Sequence, residues 1–528
     1  MTETALHSDP ARPELRALAT ELKAAAQTWT HSAVLARACP GAPALFWAHA
    51  SETGTRSFSQ LDEAANRLAS RLRALGVLAD DAVALMCSNR PEFVEVLLAG
   101  LRIGARLTPI STQLTADEVR YIVADCAAQV FFVEAGLDGE AVMARRRIVI
   151  GTPDYDAALA AGSPAELAQP EAGQLMLYTS GTTGRPKGVY RRTPDIVEPQ
   201  FGGSFADYQP GDVQLCAGPA YHAAPLLFDL RWPLASGVPV VLLDRWDSLG
   251  VLRLIEQHRV THAHWVPTMM QRLLALPESV RRSFDLRSLR VVLHGAAPCP
   301  VPLKRAMIDW LGPVFIEYYA GTEGGDNIHV DSPDWLRKPG TVGRFHPEAG
   351  HRILDEQGRD VAQGEVGRIY FRAPAEGRFE YFGDPGKTAA AYQGERYTLG
   401  DLGYVDADGW LFLTGRGAET IISGGVNIYP REIDDVLASH EAVHQACTVG
   451  APDNEWGERV VSVVVLHAGF AASDELVAAL REHAAQQLAA FKRPREIVFV
   501  DELPHTATGK LLRGHVRARF WAGRERQI

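Results

Sequence analysis

Leu175–Pro194 reads LMLYTSGTTGRPKGVYRRTP. A short apolar run breaks into Ser180, Gly181, Thr182, Thr183 and Gly184, and Lys187 follows. Glycine costs folding entropy and a run of hydroxyls contributes little to a core, so stability does not account for the stretch. Leu175–Tyr178 reads as a strand entering a turn. Small residues there let backbone N–H groups approach an anion, the hydroxyls of Ser180, Thr182 and Thr183 add donors, and Lys187 adds a mobile positive charge. Together they read as a phosphate cradle, with a flexible surface turn as the alternative. The G-x-x-x-x-G-K-[ST] spacing of the Walker A loop is absent.

Outward from this stretch, helical and strand-like patterns alternate. SFSQLDEAANRLASRLRALGV places Leu61, Ala65, Leu68 and Leu72 at helical spacing and stops at Gly76. DAVALMC, AQVFFVEA, RRRIVIG, VPVVLLD, THAHWVP and LRVVLHGAAP are apolar runs of strand length. Strands alternating with helices predict an α/β architecture with largely parallel sheets. After about Pro339 the texture changes to short strands separated by Gly and Asp turns, which predicts a small antiparallel barrel or sheet. The last stretch, from just after Arg416, reads as a small α+β domain with a helix starting near Pro430. The expected division is therefore 1–416 and 417–528.

The whole chain sets outer limits. Its 528 residues exceed the usual size of a single core, so two or more domains are expected. A formal net charge of −11 gives no basic field for nucleic acid. The six cysteines form no C-x-x-C pair, which argues against a disulfide framework or a zinc ribbon and for free thiols in a reducing cytoplasm. No stretch reaches the roughly 18 apolar residues of a membrane span. The start of the chain lacks the basic and apolar regions of a signal peptide. His262 and His264 share one face of a strand; lacking a third ligand, they read as core or pocket lining rather than metal ligands. The basic tail from Gly509 reads as a surface helix.

The string YTSGTTGRPKGV resembles the phosphate loop of the adenylate-forming superfamily, which includes acyl-CoA synthetases, peptide-synthetase adenylation domains and luciferases. Thr179, Ser180, Gly181, Thr182, Thr183, Gly184, Pro186, Lys187 and Gly188 match [ST]-[ST]-G-[ST]-T-G-x-P-K-G in order. The resemblance continues through EYYAGTEGG, with Tyr319, Thr322 and Glu323; through YTLGDLGYVDADGWLFLTGR, with Asp401 and Arg416; through ISGGVNIYPREID, with Gly424 and Gly425; and through LPHTATGKLLR, with Lys510. It implies a large N-terminal domain of α/β subdomains plus a small barrel-like part, followed by a small mobile α+β domain that pivots near Ala418. Asp or Lys is usual at that pivot.

The same resemblance implies an activity and a set of roles. A carboxylate attacks the α-phosphate of ATP, giving an acyl-adenylate and pyrophosphate, and a nucleophile then displaces AMP. The loop from Ser180 to Lys187 would hold the β- and γ-phosphates, Thr322 would reach the α-phosphate, and Glu323 would help hold Mg²⁺. Asp401 would accept from the ribose hydroxyls with support from Arg416. Tyr319 would stack on adenine beside Ala320, Gly321 and the backbone of Gly295 and Ala296. Lys510 would bridge the carboxylate and the α-phosphate. Charge builds up on phosphorus in such a reaction, so catalysis is mainly positioning and charge stabilisation.

The resemblance implies that the acid pocket would be lined by Tyr221, His222, Phe228, Trp265, His294 and Ala320. Ala320 replaces the usual glycine. Aromatic rings with small neighbours suit a medium to large, apolar or aromatic acid. Asp229 does not sit in the motif that holds an amino group in peptide-synthetase domains, which argues against an amino acid. Coenzyme A is the expected acceptor, since no carrier module follows Ile528. Its arm would pass Gly424 and Gly425, and Arg431, Lys492 and Arg493 are candidates for its 3′-phosphate. A carrier protein or an amine acceptor, a homodimer, and a non-catalytic nucleotide-binding protein remain open alternatives.

Overall fold

A computed structural model describes residues 15–49, 52–137, 142–179, 186–202, 205–325, 328–423, 426–453, 456–506 and 509–522. The chain forms two compact units. One comprises the described parts of Met1–Trp265, Leu276–Leu293 and Pro374–Thr388; the other comprises those of Val266–Ala275, His294–Ala373 and Ala389–Ile528.

In the first unit a parallel five-stranded sheet runs in the order Arg147–Ile150, Ala128–Glu134, Ala82–Met86, Arg106–Ile110, Gln174–Leu175. Every residue of Ala82–Met86 is buried. An apolar run without alternation is what a strand covered on both faces requires. The helix Phe58–Ala74 starts from a capping box in which Ser57 and Gln60 satisfy each other's backbone N–H groups, and the helix Pro91–Arg102 starts on a proline. Leu61, Ala65, Leu68 and Leu72, the predicted stripe, are fully buried. A second sheet in this unit runs in the order His262–Trp265, Gln214–Cys216, Val240–Leu243, Pro43–His49, Glu52–Ser57, parallel except for the final hairpin. A third, antiparallel sheet has Lys187–Arg191 between Leu177–Thr179 and Phe379–Tyr381.

The second unit contains the antiparallel part expected after Pro339. A seven-stranded sheet runs in the order Gly343–Arg344, Trp410–Arg416, Asp401–Val405, Gly367–Arg372, Arg396–Tyr397, Tyr392–Gln393, with Arg352–Leu354 also paired to Gly367–Arg372. The single turn Gly417–Glu419 leads from it into a five-stranded sheet built on the long hairpin Val443–Asp453 and Gly457–Leu466. Glu496–Phe499 joins that hairpin in parallel. Period-two alternation gives the five-stranded sheet two apolar faces. Ile421, Ile433, Val460, Val464 and Leu480 pack on one side, and Val449, Val461, Val463 and Val516 on the other. The basic tail folds as the helix Arg513–Trp521. It lies at the surface, as expected, and is anchored there: Val516 is fully buried, Arg517 pairs with Glu458, and the Trp521 indole donates to Gly450 O at 2.8 Å.

Candidate active site

Strand pairing builds the centre of the site in the second unit. Asp401 opens one strand and Arg416 closes the next, and the antiparallel register sets them opposite each other. Arg416 Nε donates to Asp401 Oδ1 at 3.2 Å, and the Tyr319 hydroxyl donates to Oδ2 at 2.8 Å. Both carboxylate oxygens are thus engaged. Burial, reinforced by Asp401, pushes the Tyr319 phenol well above its ordinary range. Burial works to lower Arg416, but Asp401, Glu419 and Glu323 outweigh it and the net shift is upward.

The backbone at Gly295 and Ala296 is shaped by close approach. A Cβ on Gly295 would lie 2.7 Å from both Tyr318 O and the Tyr318 ring, so only glycine fits. Ala296 is held at φ +64°, a strained conformation of the kind that clusters at binding sites. Ala320, the departure from glycine, is accommodated by a glycine elsewhere. A Cβ on Gly325 would lie 2.5 Å from that of Ala320, so the bare backbone at Gly325 makes the room. Gly321 and Gly324 exchange backbone hydrogen bonds of 2.6 and 3.1 Å, which sets Thr322 and Glu323 at the tip of a tight turn.

Lys510 enters the same place. Its backbone N–H donates to Thr506 Oγ1 at 3.0 Å. Gly509, at φ +75°, lies so close to Thr268 that a Cβ would fall 1.9 Å from its hydroxyl. Lys510, Tyr319, Ala320, Ala296, Asp401 and Arg416 all line one cavity of about 250 Å³. Burial, then Arg416, lower the Lys510 pKa, while Asp401, Glu419 and Glu323 partly oppose them. Glu323 is therefore felt electrostatically at both Arg416 and Lys510.

Glu419, Asp434 and Arg513 complete the wall. Arg513, three positions after Lys510, donates to Glu419 Oε2 at 3.2 Å, to Asp434 Oδ2 at 2.7 Å and to Thr448 O at 2.6 Å. Burial pushes Asp434 up to about 6, against the pull of Arg513. Arg513 ends the LPHTATGKLLR segment and Asp434 ends ISGGVNIYPREID, but nothing in the sequence singled them out as partners across the cavity.

In the first unit, Thr179 and Lys187 sit opposite each other on paired strands. Ser180, Gly181, Thr182, Thr183 and Gly184, expected at the phosphates, and Gly424 and Gly425, expected along the coenzyme A arm, lie outside the described residues. Tyr221 is buried and its hydroxyl accepts from Thr112 at 3.4 Å. The neighbouring His222 has an enclosed Nε2 without a hydrogen-bond partner among the described residues, and burial lowers its pKa to about 4. Phe228 lies on a π-helical stretch, Pro225–Arg231, that the sequence did not announce, and packs on Trp232 and His264. Trp265 is fully buried. His294 belongs to the second unit. It too is fully buried, with Nε2 3.7 Å from Glu317 and its ring against Phe315. Asp229 is fully buried, bonded through Oδ1 to Gln214 at 2.8 Å, and burial pushes it well above the carboxylate range.

The three cations considered for coenzyme A have internal partners. Lys492 meets both oxygens of Glu432 at 2.7 Å, Arg493 donates to Leu488 O and Ala485 O, and the buried Arg431 has its Nε 3.6 Å from Asp435.

Comparison with known proteins gives the family. The model of AMP-binding enzymes matches residues 33–378, and that of the AMP-binding enzyme C-terminal domain matches residues 432–510. The chain belongs to the AMP-binding enzymes. It is 34% identical to an indoleacetate–CoA ligase of Aromatoleum aromaticum, over 87% of this chain and 92% of the relative. It is 31% identical to a fatty acid–[acyl-carrier-protein] ligase of Streptomyces coeruleorubidus, over 90% and 94%. The crystal structure of an anthranilate CoA ligase in complex with anthranoyl-AMP superposes with a TM-score of 0.80 at 26% identity, covering 93% of this chain and 97% of that one. Among the described residues, no helix is long and apolar enough to cross a membrane.

Proposed function

We propose that this protein activates a carboxylic acid with ATP and passes the acyl group to coenzyme A. The observation that carries the reading is the meeting of Lys510, Asp401, Arg416 and Tyr319 around one cavity. In the first step a carboxylate oxygen attacks the α-phosphorus and the bond to pyrophosphate breaks. Lys510 supplies positive charge where negative charge gathers, and Asp401 accepts from the ribose. In the second step a thiolate attacks the acyl carbon and AMP leaves. Glu323 provides one carboxylate next to Thr322. That suits Mg²⁺, which is commonly bound by one or two carboxylates together with water and substrate phosphates.

The acid is medium to large and apolar or aromatic. Buried Tyr221 and Phe228 and the neutral His222 support that class. The named relatives act on an aryl acid and on fatty acids. A panel of aryl and fatty acids incubated with ATP and coenzyme A, read by mass spectrometry and pyrophosphate release, is the test. Pyrophosphate release without acyl-CoA would move the acceptor to a carrier protein or an amine, the reading that the carrier-protein ligase favours. No acid-dependent pyrophosphate exchange would leave only a nucleotide binder.

The domain division at Arg416 belongs to the same proposal, with Ala418 in the turn Gly417–Glu419 as pivot. Gly417 supplies the backbone freedom and a proline at 418 removes it. Ala418→Pro is expected to slow thioester formation far more than adenylation in stopped-flow measurements. Equal loss in both steps would place the pivot elsewhere.

A further inference from the structure

Lys187 does not stand alone at the edge of the nucleotide loop: its ammonium is paired with the carboxylate of Asp384, 197 residues later. Asp384 is the fixed member of that pair. The ladder between Lys187–Arg191 and Phe379–Tyr381 is extended by Phe382 N–H donating to Gly188 O at 2.8 Å. The chain then turns, with Asp384 N–H donating to Tyr381 O at 3.0 Å, and enters the helix Pro385–Ala391. Asp384 Oδ1 caps that helix by accepting from Lys387 N–H at 2.9 Å, and Oδ2 is the atom that faces Lys187. Thr388 Oγ1 donates to Asp384 O and accepts from Tyr381 N–H, both at 2.9 Å. The strand packs closely at Gly188, where a Cβ would meet Met176 Sδ at 2.9 Å. One carboxylate oxygen therefore serves the fold and the other is aimed at a lysine on a long flexible stem.

As a stabilising contact the pair is worth little, because both side chains are partly exposed. Its value is positional. We propose that Asp384 is a positioning residue for Lys187, holding the ammonium in place before the phosphates of ATP arrive. The inference rests on the reading of Lys187 as a phosphate ligand. An ammonium has three donors, so one can stay on Asp384 while others turn to phosphate oxygens. A lysine already ordered pays less on binding than one drawn from solvent. Lys187 and the Lys387 backbone hold the Asp384 carboxyl below its usual range, so the anion is present throughout the neutral range.

The test uses the full chain and ATP. Asp384→Asn and Asp384→Ser both keep an acceptor for the helix cap and remove the charge. Each is expected to raise the KM for ATP in pyrophosphate release about tenfold, leaving the melting temperature and thioester formation from supplied acyl-adenylate unchanged. Asp384→Glu should recover part of the loss. In a Lys187→Ala background, Asp384→Asn should add nothing. A harmful Lys187→Ala beside a silent Asp384→Asn, or additive losses in the double variant, would overturn the inference alone. A silent Lys187→Ala would remove the phosphate reading of Lys187 and the inference with it.

Discussion

In the first unit His31, His262 and His264 are buried and the Nε2 of His222 is enclosed, and burial lowers these four rings to pKa values of about 3 or 4. In the second unit Tyr319, Asp401, Arg416 and Lys510 surround a cavity, and the hydrogen bonds of Asp401 go to side chains drawn from distant parts of the sequence. The first unit carries its histidines as neutral packing groups, which makes its stability depend on pH. The second keeps charged groups next to space, which makes a chemical step depend on them. The contrast explains why a downward shift means one thing for a buried His and another for a half-buried Lys: Lys510 lines a cavity.

The comparison breaks most visibly at Lys510. Lys510→Ala removes a preorganised charge and is expected to slow adenylation by roughly 10²–10³-fold, while thioester formation from supplied acyl-adenylate survives. The same residue should set an alkaline limb. Burial, then Arg416, hold its pKa below the ordinary 10.5, so the ammonium is lost and the rate falls at lower pH than for an exposed lysine. Pyrophosphate release followed from pH 7 to 10 checks this. A flat profile over that range would return Lys510 to the status of a packing residue.

Tyr319→Phe is the next largest. It leaves the ring for stacking and removes the hydroxyl that donates to Asp401 at 2.8 Å. A hydrogen bond to a charged group contributes about 1.5–3 kcal/mol. Arg416 still holds the other oxygen, so the low end is expected, about a tenfold rise in the KM for ATP. An unchanged KM would mean that Asp401 needs only its strand partner.

The motif glycines and charges of this site were legible because their chemistry limits residue choice. Gly295 and Gly509 have no space for a side chain, and Asp401 and Arg416 follow from strand register. The helix stripe at Leu61–Leu72 and the buried run Ala82–Met86 were legible from period alone. The π-helical stretch Pro225–Arg231, the Tyr319–Asp401 bond and the Arg513–Asp434–Glu419 cluster were not. The first is a departure from i→i+4 bonding that no periodicity announces. The other two join residues that only the finished fold brings together. The anchoring of the tail helix was hidden for a related reason. Arg513 and Arg517 look like surface charge until their partners Asp434 and Glu458 are known.

The smallest effect, and the one that tests the first unit, comes from a single ring. His31 is 2% exposed, and burial, with Arg102 and Arg231 adding to it, lowers its pKa to about 3. In the unfolded chain the ring titrates near 6.5. Between those values the unfolded state binds a proton that the folded state does not. Stability is therefore full above about pH 6.5 and declines as the pH falls towards 3, by at most about 1.4 kcal/mol per pH unit for one such group. His31→Phe removes that group while keeping an aromatic ring beside Trp29. Denaturation in urea at pH 7 and pH 5 should show a shallower acid loss in the variant than in the parent, even if the variant is weaker at both. Equal acid losses would mean that His31 is protonated in the folded protein, and the contrast between the two units would then rest on His222, His262 and His264.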